Sequence, residues 1–324
     1  MQPDIFTNRV RNLSNNIKVS IVIRAYNEEK HIQRLLDGIR IQRTTFRYEV
    51  IIVDSGSTDS TLTIASRSNA KIICIPSEKF SFGYSLNKGI EASSGEYCAF
   101  ISAHCYPADE YWLENLIRPF DDEAVAVVYG KQRGNNDSRY SEQQIFVQWF
   151  PDEGSGKRNS PFCNNANAAI RKSLWKRIKY SDVLTGLEDI DWARNLISLG
   201  YFVYYESNAM IFHLHDENFA KLFRRYEREA IAMKAIYPQE VFTFLDFIKW
   251  FSLNTLSDFV HAVQNGLFLK NIISIPEMRL SQFWGTYKGY NIRKPVSEEL
   301  RQKFYYPRKV RIFGSRKRQV EGPL

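Results

Sequence analysis

The first hundred residues alternate short apolar runs rich in β-branched side chains with segments of helical periodicity. This alternation is typical of a parallel sheet whose strands are joined by crossover helices, so it predicts an α/β fold that opens in the order βαβαβαβ. The predicted strands are 19–23, 50–53, 72–75 and 97–101, and the predicted helices lie near 29–41, 60–66 and 84–92.

The rest of the chain becomes polar and glycine-bearing and then helical. The elements predicted there are loops at 131–160 around a short helix near 145–150, an apolar turn at 161–170, a helix at 191–199, a strand at 202–205, and amphipathic helices over 219–268 with a break at Pro238. We expect a lead-in at 1–17, an α/β domain at 18–220, a helical region at 221–300 and a basic tail at 301–324.

Composition excludes several classes of protein. With 324 residues and 44% hydrophobic content, the chain is long enough to form a large folded domain. Its four cysteines form no CxxC pair, which argues against a disulfide framework or a zinc ribbon. The sequence shows no signal-peptide pattern and no run of about 18 apolar residues. We therefore expect a cytoplasmic protein that meets a membrane only from one side.

The positive charge is concentrated in the tail. Residues 301–324 contain eight basic residues and one acidic residue, so they carry +7 of the formal net charge of +8. Such a tail can be a solvated segment, or it can contact anionic lipid or nucleic acid. Phe304, Tyr305, Tyr306, Ile312 and Phe313 interleave with the charges, as in interfacial segments. We expect a peripheral contact with the inner face of the cytoplasmic membrane, and we disfavour nucleic acid as a partner.

Polar residues follow the predicted strands where a ligand would bind. Ligands of open α/β sheets bind beyond the carboxyl ends of the strands. The first strand is followed by RAYNEE, the second by DSGSTD and the fourth by Ser102-Ala103-His104. None of these turns carries a GxGxxG or Walker pattern, which argues against a dinucleotide oxidoreductase or a P-loop NTPase.

The ordered set of motifs resembles family 2 glycosyltransferases. The segments VSIVIRAYNEE and VIIVDSGSTDST are followed by NNAN at 164–167, by EDID at 188–191 and by His213. The resemblance implies an inverting enzyme of GT-A type, with a Rossmann-like nucleotide-diphosphosugar transferase fold, a mixed sheet flanked by helices and a C-terminal helical extension. The chain looks closer to the rhamnosyltransferase-like branch than to processive synthases, because it lacks their QxxRW motif.

The resemblance also implies where a nucleotide-sugar donor binds. Asp54 matches the position that the family uses for the nucleobase, although an Asx turn starting the next helix would explain this residue too. Tyr26 could pack against the base, and a turn at Gly56 would bring backbone amides close to the ligand. The implied donor-binding residues are Arg24, Ala25, Tyr26, Asn27, Glu28, Asp54, Gly56, Asn87, Ser102, Ala103 and His104.

Asp189 is the residue that the resemblance marks as the catalytic base. Inverting transfer needs a base to take the proton of the acceptor hydroxyl while diphosphate leaves from the opposite face. Glu188 and Asp191 are expected to orient this base or the acceptor. The alternative is that the three carboxylates simply favour the N-terminus of a helix.

The chain departs from the family at Ser102-Ala103-His104, where an acidic pair usually holds a divalent ion. His104 could bind Mn²⁺ or Mg²⁺ together with His213 or His215, which would share one face of a strand. It could instead be a partner of the diphosphate without metal, or an inert loop residue. Without a metal, cations must offset the charge of the leaving group. The candidates for that role are Lys131, Arg133, Arg224 and Arg225.

The expected function is transfer of a hexose or deoxyhexose from a nucleotide-sugar to a glycan or lipid-linked acceptor in surface polysaccharide biosynthesis. One alternative is a sugar nucleotidyltransferase, although the glycine-rich basic loop of that class is missing after the first strand. The other is a non-catalytic nucleotide-sugar-binding scaffold, which the lost acidic pair would suit and the retained Glu188-Asp189 would not.

Overall fold

The structure is a computed structural model, and it describes residues 16–215, 217–292 and 304–305. The predicted segments at 1–17 and 301–324 therefore lie almost entirely outside the described residues. The strands are β1 (Ile17–Ala25), β2 (Arg47–Asp54), β3 (Lys71–Cys74), β4 (Tyr97–Ser102), β5 (Cys105–Pro107), β6 (Val125–Arg133), β7 (Gly156–Arg158), β8 (Asn167–Arg171) and β9 (Phe202–His213). The helices are α1 (Ile32–Arg40), α2 (Thr61–Ala65), α3 (Phe82–Glu91), α4 (Trp112–Ile117), α5 (Tyr140–Trp149), α6 (Lys172–Arg177), α7 (Glu188–Ile197), α8 (Phe219–Ile236), α9 (Phe244–Gln264), α10 (Phe268–Asn271) and α11 (Ser274–Tyr290).

These strands form one mixed sheet in the order β3-β2-β1-β4-β8-β6-β9-β5, with β7 added against β9. The predicted βαβαβαβ opening is confirmed, because β1 pairs in parallel with both β2 and β4, and β2 pairs in parallel with β3. The later strand β8 runs antiparallel to β4 and β6. The carboxyl ends of β1, β2 and β4 therefore meet at one edge.

Both faces of the sheet are covered by apolar side chains. One layer contains Ile32 of α1 and Trp112 of α4, and the other contains Leu86 of α3 and Trp192 of α7. The two tryptophans are almost completely buried, so each side of the sheet has its own core. This arrangement confirms the predicted α/β class with helices on both faces.

Helices α8, α9 and α11 form the predicted C-terminal helical region. Helix α11 lies close against α8 at Gly285 and Gly289, where an added Cβ would come within 2.6 Å of the Phe223 carbonyl oxygen and 2.4 Å of the Glu227 carbonyl oxygen. Pro238 lies between α8 and α9, as the predicted break requires. In the described part of the chain, no helix is both long and apolar enough to cross a bilayer.

Several predicted boundaries are wrong. The predicted turn at 161–170 ends in β8, and the short helix near 145–150 begins five residues earlier, at Tyr140. The strand predicted at 202–205 continues to His213. The prediction stopped too early because the polar residues Glu206 to Asn208 interrupt the apolar pattern, next to a shift in the pairing of this strand with β6. The helix predicted at 191–199 begins at Glu188, which places Asp189 in its first turn.

Candidate active site

The ends of three parallel strands bring the predicted donor-binding residues together. Ala25 pairs with Asp54, and Arg24 pairs with Ser102, so the last residues of β1, β2 and β4 lie side by side. Ala25 and Ala103 are buried, and they present only backbone groups to this edge. The sequence-based expectation that these three turns share one crevice is therefore consistent with the register of the sheet.

Asp54 is a buried carboxylate with one oxygen in use. Its Oδ2 accepts hydrogen bonds from the N–H groups of Gly56, at 2.9 Å, and Ser57, at 3.0 Å. Gly56 has a φ of 93°, in the left-handed region that favours glycine. Oδ1 is buried and has no hydrogen-bond partner among the described residues. The Asx turn thus accounts for the hydrogen bonds of Oδ2, and Oδ1 remains free to accept a hydrogen bond from a ligand.

The loops after β1 and β2 are joined by hydrogen bonds. The Asn27 side chain accepts from the Thr58 N–H at 2.8 Å, and the Asn27 N–H donates to the Ser57 hydroxyl at 2.9 Å. Asn27 has a φ of 54°, so this left-handed residue shapes the turn. Tyr26, just before it, is 37% exposed.

Asn87 is placed differently from the other predicted donor-binding residues. Its amide nitrogen donates to the Tyr180 carbonyl and to Asp182, and its oxygen accepts from Trp175 and from the Tyr180 N–H. These four bonds use every hydrogen-bonding position of the amide. Asn87 therefore joins α3 to the 175–182 segment, and its side chain offers no polar group to a donor.

Two histidines face each other beside the strand ends. His104 Nε2 lies 3.2 Å from His213 Nε2, while His104 Nδ1 donates to Glu28 at 2.8 Å and His213 Nδ1 donates to Gln132 Oε1 at 2.7 Å. When both rings are neutral and donate outward through Nδ1, their two Nε2 atoms direct lone pairs at one another. Burial lowers the pKa of His213 well below its ordinary value, and the charges of His215, His104 and Arg225 add to the effect.

A metal ion fits the chemistry of this pair. Two imidazole nitrogens that bind one metal ion at about 2.0–2.1 Å must lie close together, and the 3.2 Å separation of the two Nε2 atoms is short enough for that. Glu28 and Gln132 hold the outer ring nitrogens as supporting residues do in metal sites. The Cys105 sulfur lies in the same cluster, although burial raises the pKa of this thiol well above its usual value. A proton on His104 would also relieve the repulsion between the two lone pairs.

His215 lies next to the pair but is already engaged. Its ring centroid is 4.0 Å from that of His213. Its Nδ1 donates to Glu142 at 2.5 Å, and its Nε2 accepts from Arg225 at 3.0 Å. Since both ring nitrogens are occupied, His104 and His213 are the stronger candidate ligands.

The four predicted diphosphate-binding cations differ in how strongly they are paired. Arg225 is buried against Glu217 and Glu142, and Arg133 binds Asp152 and the Phe150 carbonyl. Lys131 also lies 3.4 Å from Asp152, although this pair is partly exposed. Arg224 has no ion pair within the described ranges, and it lines a surface pocket beside Phe219, Phe223 and Phe304. Arg224 is therefore the cation most available to a ligand.

Asp189 is held in place by backbone groups at the start of α7. Its Oδ2 accepts from the Asn165 N–H at 3.0 Å, and its Oδ1 accepts from the Ile190 N–H at 2.9 Å. Burial, followed by the charge of Glu188, raises the pKa of Asp189 to about 7. The Ile190 N–H contact is one that a carboxylate makes at a helix N-terminus and lowers its pKa, whereas burial and Glu188 raise the pKa and outweigh it. A carboxylate that titrates near neutral pH is suited to general base catalysis.

The two other acids of the motif have different surroundings. Glu188 accepts from the Asn165 side chain at 3.2 Å and from Arg24 at 3.4 Å, which links α7 to the end of β1. Asp191 forms an ion pair with Arg194 at 3.0 Å on the partly exposed side of α7. The structure thus joins Glu188, but not Asp191, to the donor-binding edge through a described contact.

Sequence reasoning missed the residues that support the site from a distance. Gln132 on β6 and Glu142 on α5 hold the two histidines of β9 and its following loop. Tyr305 donates to the Thr185 carbonyl at 3.1 Å, just before the motif that carries Asp189. No local pattern marks Gln132 or Glu142, and the expectation that Tyr305 is an interfacial aromatic of the tail is wrong, because its side chain is buried against the loop at Thr185. Cys105 could have been noticed because it follows His104 directly.

The fold defines a glycosyltransferase of GT-A type. The family model for glycosyl transferase family 2 matches residues 20–179, and the chain belongs to this family. Its relatives include the O-antigen chain rhamnosyltransferase RfbN of Salmonella typhimurium, which is 29% identical over 65% of this chain and 70% of that protein. WbaN of Salmonella anatum, another O-antigen chain rhamnosyltransferase, is 28% identical over 55% of this chain and 60% of that protein. The predicted rhamnosyltransferase-like resemblance is confirmed.

Solved structures support the fold. The mannosyltransferase PcManGT from Pyrobaculum calidifontis, in complex with GDP-Man and Mn²⁺, superposes with a TM-score of 0.56 at 16% identity, over 94% of this chain and 93% of that chain. TarS 1–349 of S. aureus gives 0.50 at 18% identity, over 91% and 93%. The agreement extends across the sheet and the C-terminal helical region. It confirms the predicted GT-A architecture.

Proposed function

We propose that this glycosyltransferase moves a hexose or deoxyhexose, with inversion, from a nucleoside-diphosphate sugar to a hydroxyl of a glycan or lipid-linked acceptor. The observation that carries the proposal is the buried Asp189 carboxylate, whose pKa is raised to about 7 and whose neighbour Glu188 contacts the donor edge through Arg24. The names of RfbN and WbaN support a role in surface polysaccharide biosynthesis and favour a deoxyhexose.

Asp189 would act on the acceptor. Its carboxylate takes the proton of the attacking hydroxyl while the acceptor oxygen bonds to the anomeric carbon and the bond to the diphosphate breaks on the opposite face. The two backbone N–H groups that bind Asp189 fix its orientation before the acceptor arrives. The negative charge of Glu188 raises the pKa of Asp189 and so makes it a stronger base. Asp191, which pairs with Arg194 in the same helix, would help to orient the base or the acceptor.

The donor would lie along the ends of β1, β2 and β4. The free oxygen of Asp54 is suited to accept a hydrogen bond from a base or ribose, and exposed Tyr26 is suited to pack on the base. The backbone around Gly56 and Ser102, with Arg24 and Asn27 shaping the turns, completes this half of the site. Folds similar to this one bind GDP-Man in PcManGT and UDP in TarS 1–349, which supports a nucleoside-diphosphate donor.

His104 and His213 would hold a divalent ion, with Mn²⁺ favoured over Mg²⁺ because imidazole is the softer ligand. Such an ion, when bound, neutralises negative charge on the leaving diphosphate. Glu28 and Gln132 keep the two ring nitrogens directed at a common point. Of the four predicted cations, Arg224 would assist from the protein, because the other three already form ion pairs among the described residues.

The proposed location is the cytoplasm, at the inner face of the membrane, where the basic tail at 301–324 would contact anionic lipid. The proposed division keeps 18–220 as the catalytic domain and 221–300 as the helical region. Strand β9 ends at His213 and helix α8 begins at Phe219, which supports a domain boundary near residue 220.

The experiment is a panel of UDP-, dTDP-, GDP- and CMP-sugars, with and without Mn²⁺ or Mg²⁺. Thermal shift reports binding, because a ligand of the folded state raises the apparent stability. Release of the nucleotide and the anomeric configuration of the product report transfer. We expect a nucleoside-diphosphate sugar to bind and to give an inverted product. A retained configuration would contradict the role of Asp189, and binding without turnover across donors and glycan acceptors would contradict transfer.

A further inference from the structure

The C-terminal helical region presents an apolar face to the exterior. One side of α9 is buried against α11 through Phe247, Asp258 and Ala262. The opposite side continues through α10 toward the start of α11. The side chains that define this apolar face are Leu245, Ile248, Leu256, Val263, Leu269 and Ile273. Leu269 is 84% exposed and Leu245 is 78% exposed, so these side chains are at the surface and are not part of the hydrophobic core.

The exposed charges beside the apolar face are two lysines and one acid, so their sum is positive. Lys249 and Lys270 are exposed within the same segment. Of the two acids of α9, Asp258 is buried in an ion pair with Arg279, whereas Asp246 forms the capping box with Thr243, stays partly exposed and interacts with the charge of Lys249. A partly exposed Trp250 lies beside Lys249, whose Nζ is 5.1 Å from the ring centroid. Tryptophan and lysine at the rim of an apolar surface are typical of the membrane–water interface.

We propose that this apolar face is a membrane-docking surface, which inserts α9 and α10 into the acyl boundary of an anionic bilayer while Lys249 and Lys270 contact lipid headgroups. The helix would lie in the plane of the interface. The proposal deepens the peripheral location in the proposed function, and it assigns the contact to folded helices as well as to the basic tail.

Charge favours a bilayer over a second copy of the chain. A twofold interface places the same surface against itself, so Lys249 and Lys270 would approach their own copies with only Asp246 of the segment to offset them, and the contact would keep a net positive charge. Anionic headgroups supply the missing negative charge. The apolar side chains and the two lysines then gain partners in a single contact.

The experiment measures sedimentation of the full chain with vesicles of phosphatidylcholine alone or mixed with phosphatidylglycerol. The test variant carries Leu256→Glu and Leu269→Glu. The matched control is Leu199→Glu on the catalytic domain, since Leu199 is 53% exposed and Leu256 is 61% exposed. We expect binding to the anionic vesicles, a loss of about tenfold or more in the partition coefficient of the test variant, and no change in the control.

Quenching by brominated lipids locates the contact. Fluorescence of the chain should be quenched on binding, and Trp250→Phe should remove a large part of this quenching. Equal vesicle binding by the Leu256→Glu, Leu269→Glu variant would overturn the proposal. A second result would also overturn it: light scattering that shows the wild-type chain as a dimer and the Leu256→Glu, Leu269→Glu variant as a monomer. Donor binding, measured by thermal shift without vesicles, separates these outcomes from a failure of the proposed transferase activity.

Discussion

His104 and His213 direct their Nε2 atoms at each other across 3.2 Å, and each ring is fixed from behind, by Glu28 and Gln132 respectively. This relationship connects the loop after β4 to the end of β9, two segments more than 100 residues apart in sequence. The resemblance implies an acidic pair at this position, and the chain carries Ser102-Ala103-His104 instead. We infer that two nitrogen ligands, oriented by a carboxylate and an amide, would take the place of the paired carboxylates.

Removing the carboxylate behind His104 should weaken metal binding. Glu28→Gln is expected to lower the affinity for Mn²⁺ by about 10- to 100-fold, because the glutamate orients the ring and makes it more basic. Glu29→Gln is the matched control, since Glu29 binds the Ser60 N–H instead. Isothermal titration of the protein with Mn²⁺ measures both. An unchanged affinity in Glu28→Gln, or in His104→Ala, would contradict the histidine site.

Asp189 should make stability depend on pH. Its pKa is raised from 3.8 to about 7, so the folded state binds this proton more tightly than the unfolded state does. The folded protein therefore loses stability as pH rises through this window, and the loss is complete above the folded pKa. Asp189→Asn removes the titration. We expect the fall in Tm between pH 4 and pH 7 to be smaller in this variant, and parallel curves would contradict the raised pKa.

Tyr305 should act on transfer through the loop that precedes Asp189. Its hydroxyl donates to the Thr185 carbonyl at 3.1 Å, and its ring packs edge-on against Phe80 and Phe82. Tyr305→Phe keeps the ring and removes one hydrogen bond worth about 0.5–1.5 kcal/mol. We expect kcat to fall about two- to tenfold with little change in the KM for the donor.

The matched control for this change is Tyr290→Phe. Tyr290 also loses one side-chain hydrogen bond, to Glu240 at 3.3 Å, but it lies in the C-terminal helical region. Steady-state kinetics of the two variants should differ in kcat. Equal kinetics in both would mean that the Tyr305 contact does not position the catalytic loop.

The ion pair between Asp258 and Arg279 should be important for stability of the helical region. Both side chains are at most 4% exposed, and two hydrogen bonds of 2.7 and 2.9 Å join α9 to α11. Asp258→Ala leaves a buried guanidinium without its partner and should cost about 3–5 kcal/mol. Chemical denaturation checks this value. The exposed pair Lys88–Glu91 is the control, because Glu91→Ala should cost at most about 1 kcal/mol.

The sequence predicted the parts of this protein that depend on local pattern. The strands β1 to β4 follow from apolar β-branched runs, and their parallel pairing places Arg24, Asp54 and Ser102 together. The beginning of α7 was missed because the left-handed residue before it, Leu187 with a φ of 57°, carries none of the usual capping signals.

Long-range contacts could not be predicted in the same way. That Gln132 supports His213, or that Glu142 and Arg225 occupy both nitrogens of His215, depends on how β6, α5 and α8 pack around the end of β9. The four cations proposed for the diphosphate looked equivalent in sequence. The difference between Arg224 and Arg225 becomes visible only in the folded chain, where Arg225 forms an ion pair with Glu217.

The most direct test of the account is the rate of sugar transfer in Asp189→Asn beside Asp191→Asn. Both changes remove one carboxylate from the first turns of α7, but only Asp189 is buried with a raised pKa, whereas Asp191 pairs with Arg194. With the donor identified by the panel, we expect kcat to fall about 10²- to 10⁴-fold in Asp189→Asn and far less in Asp191→Asn, with donor binding retained in both. Comparable rates in wild type and Asp189→Asn would contradict general base catalysis by Asp189.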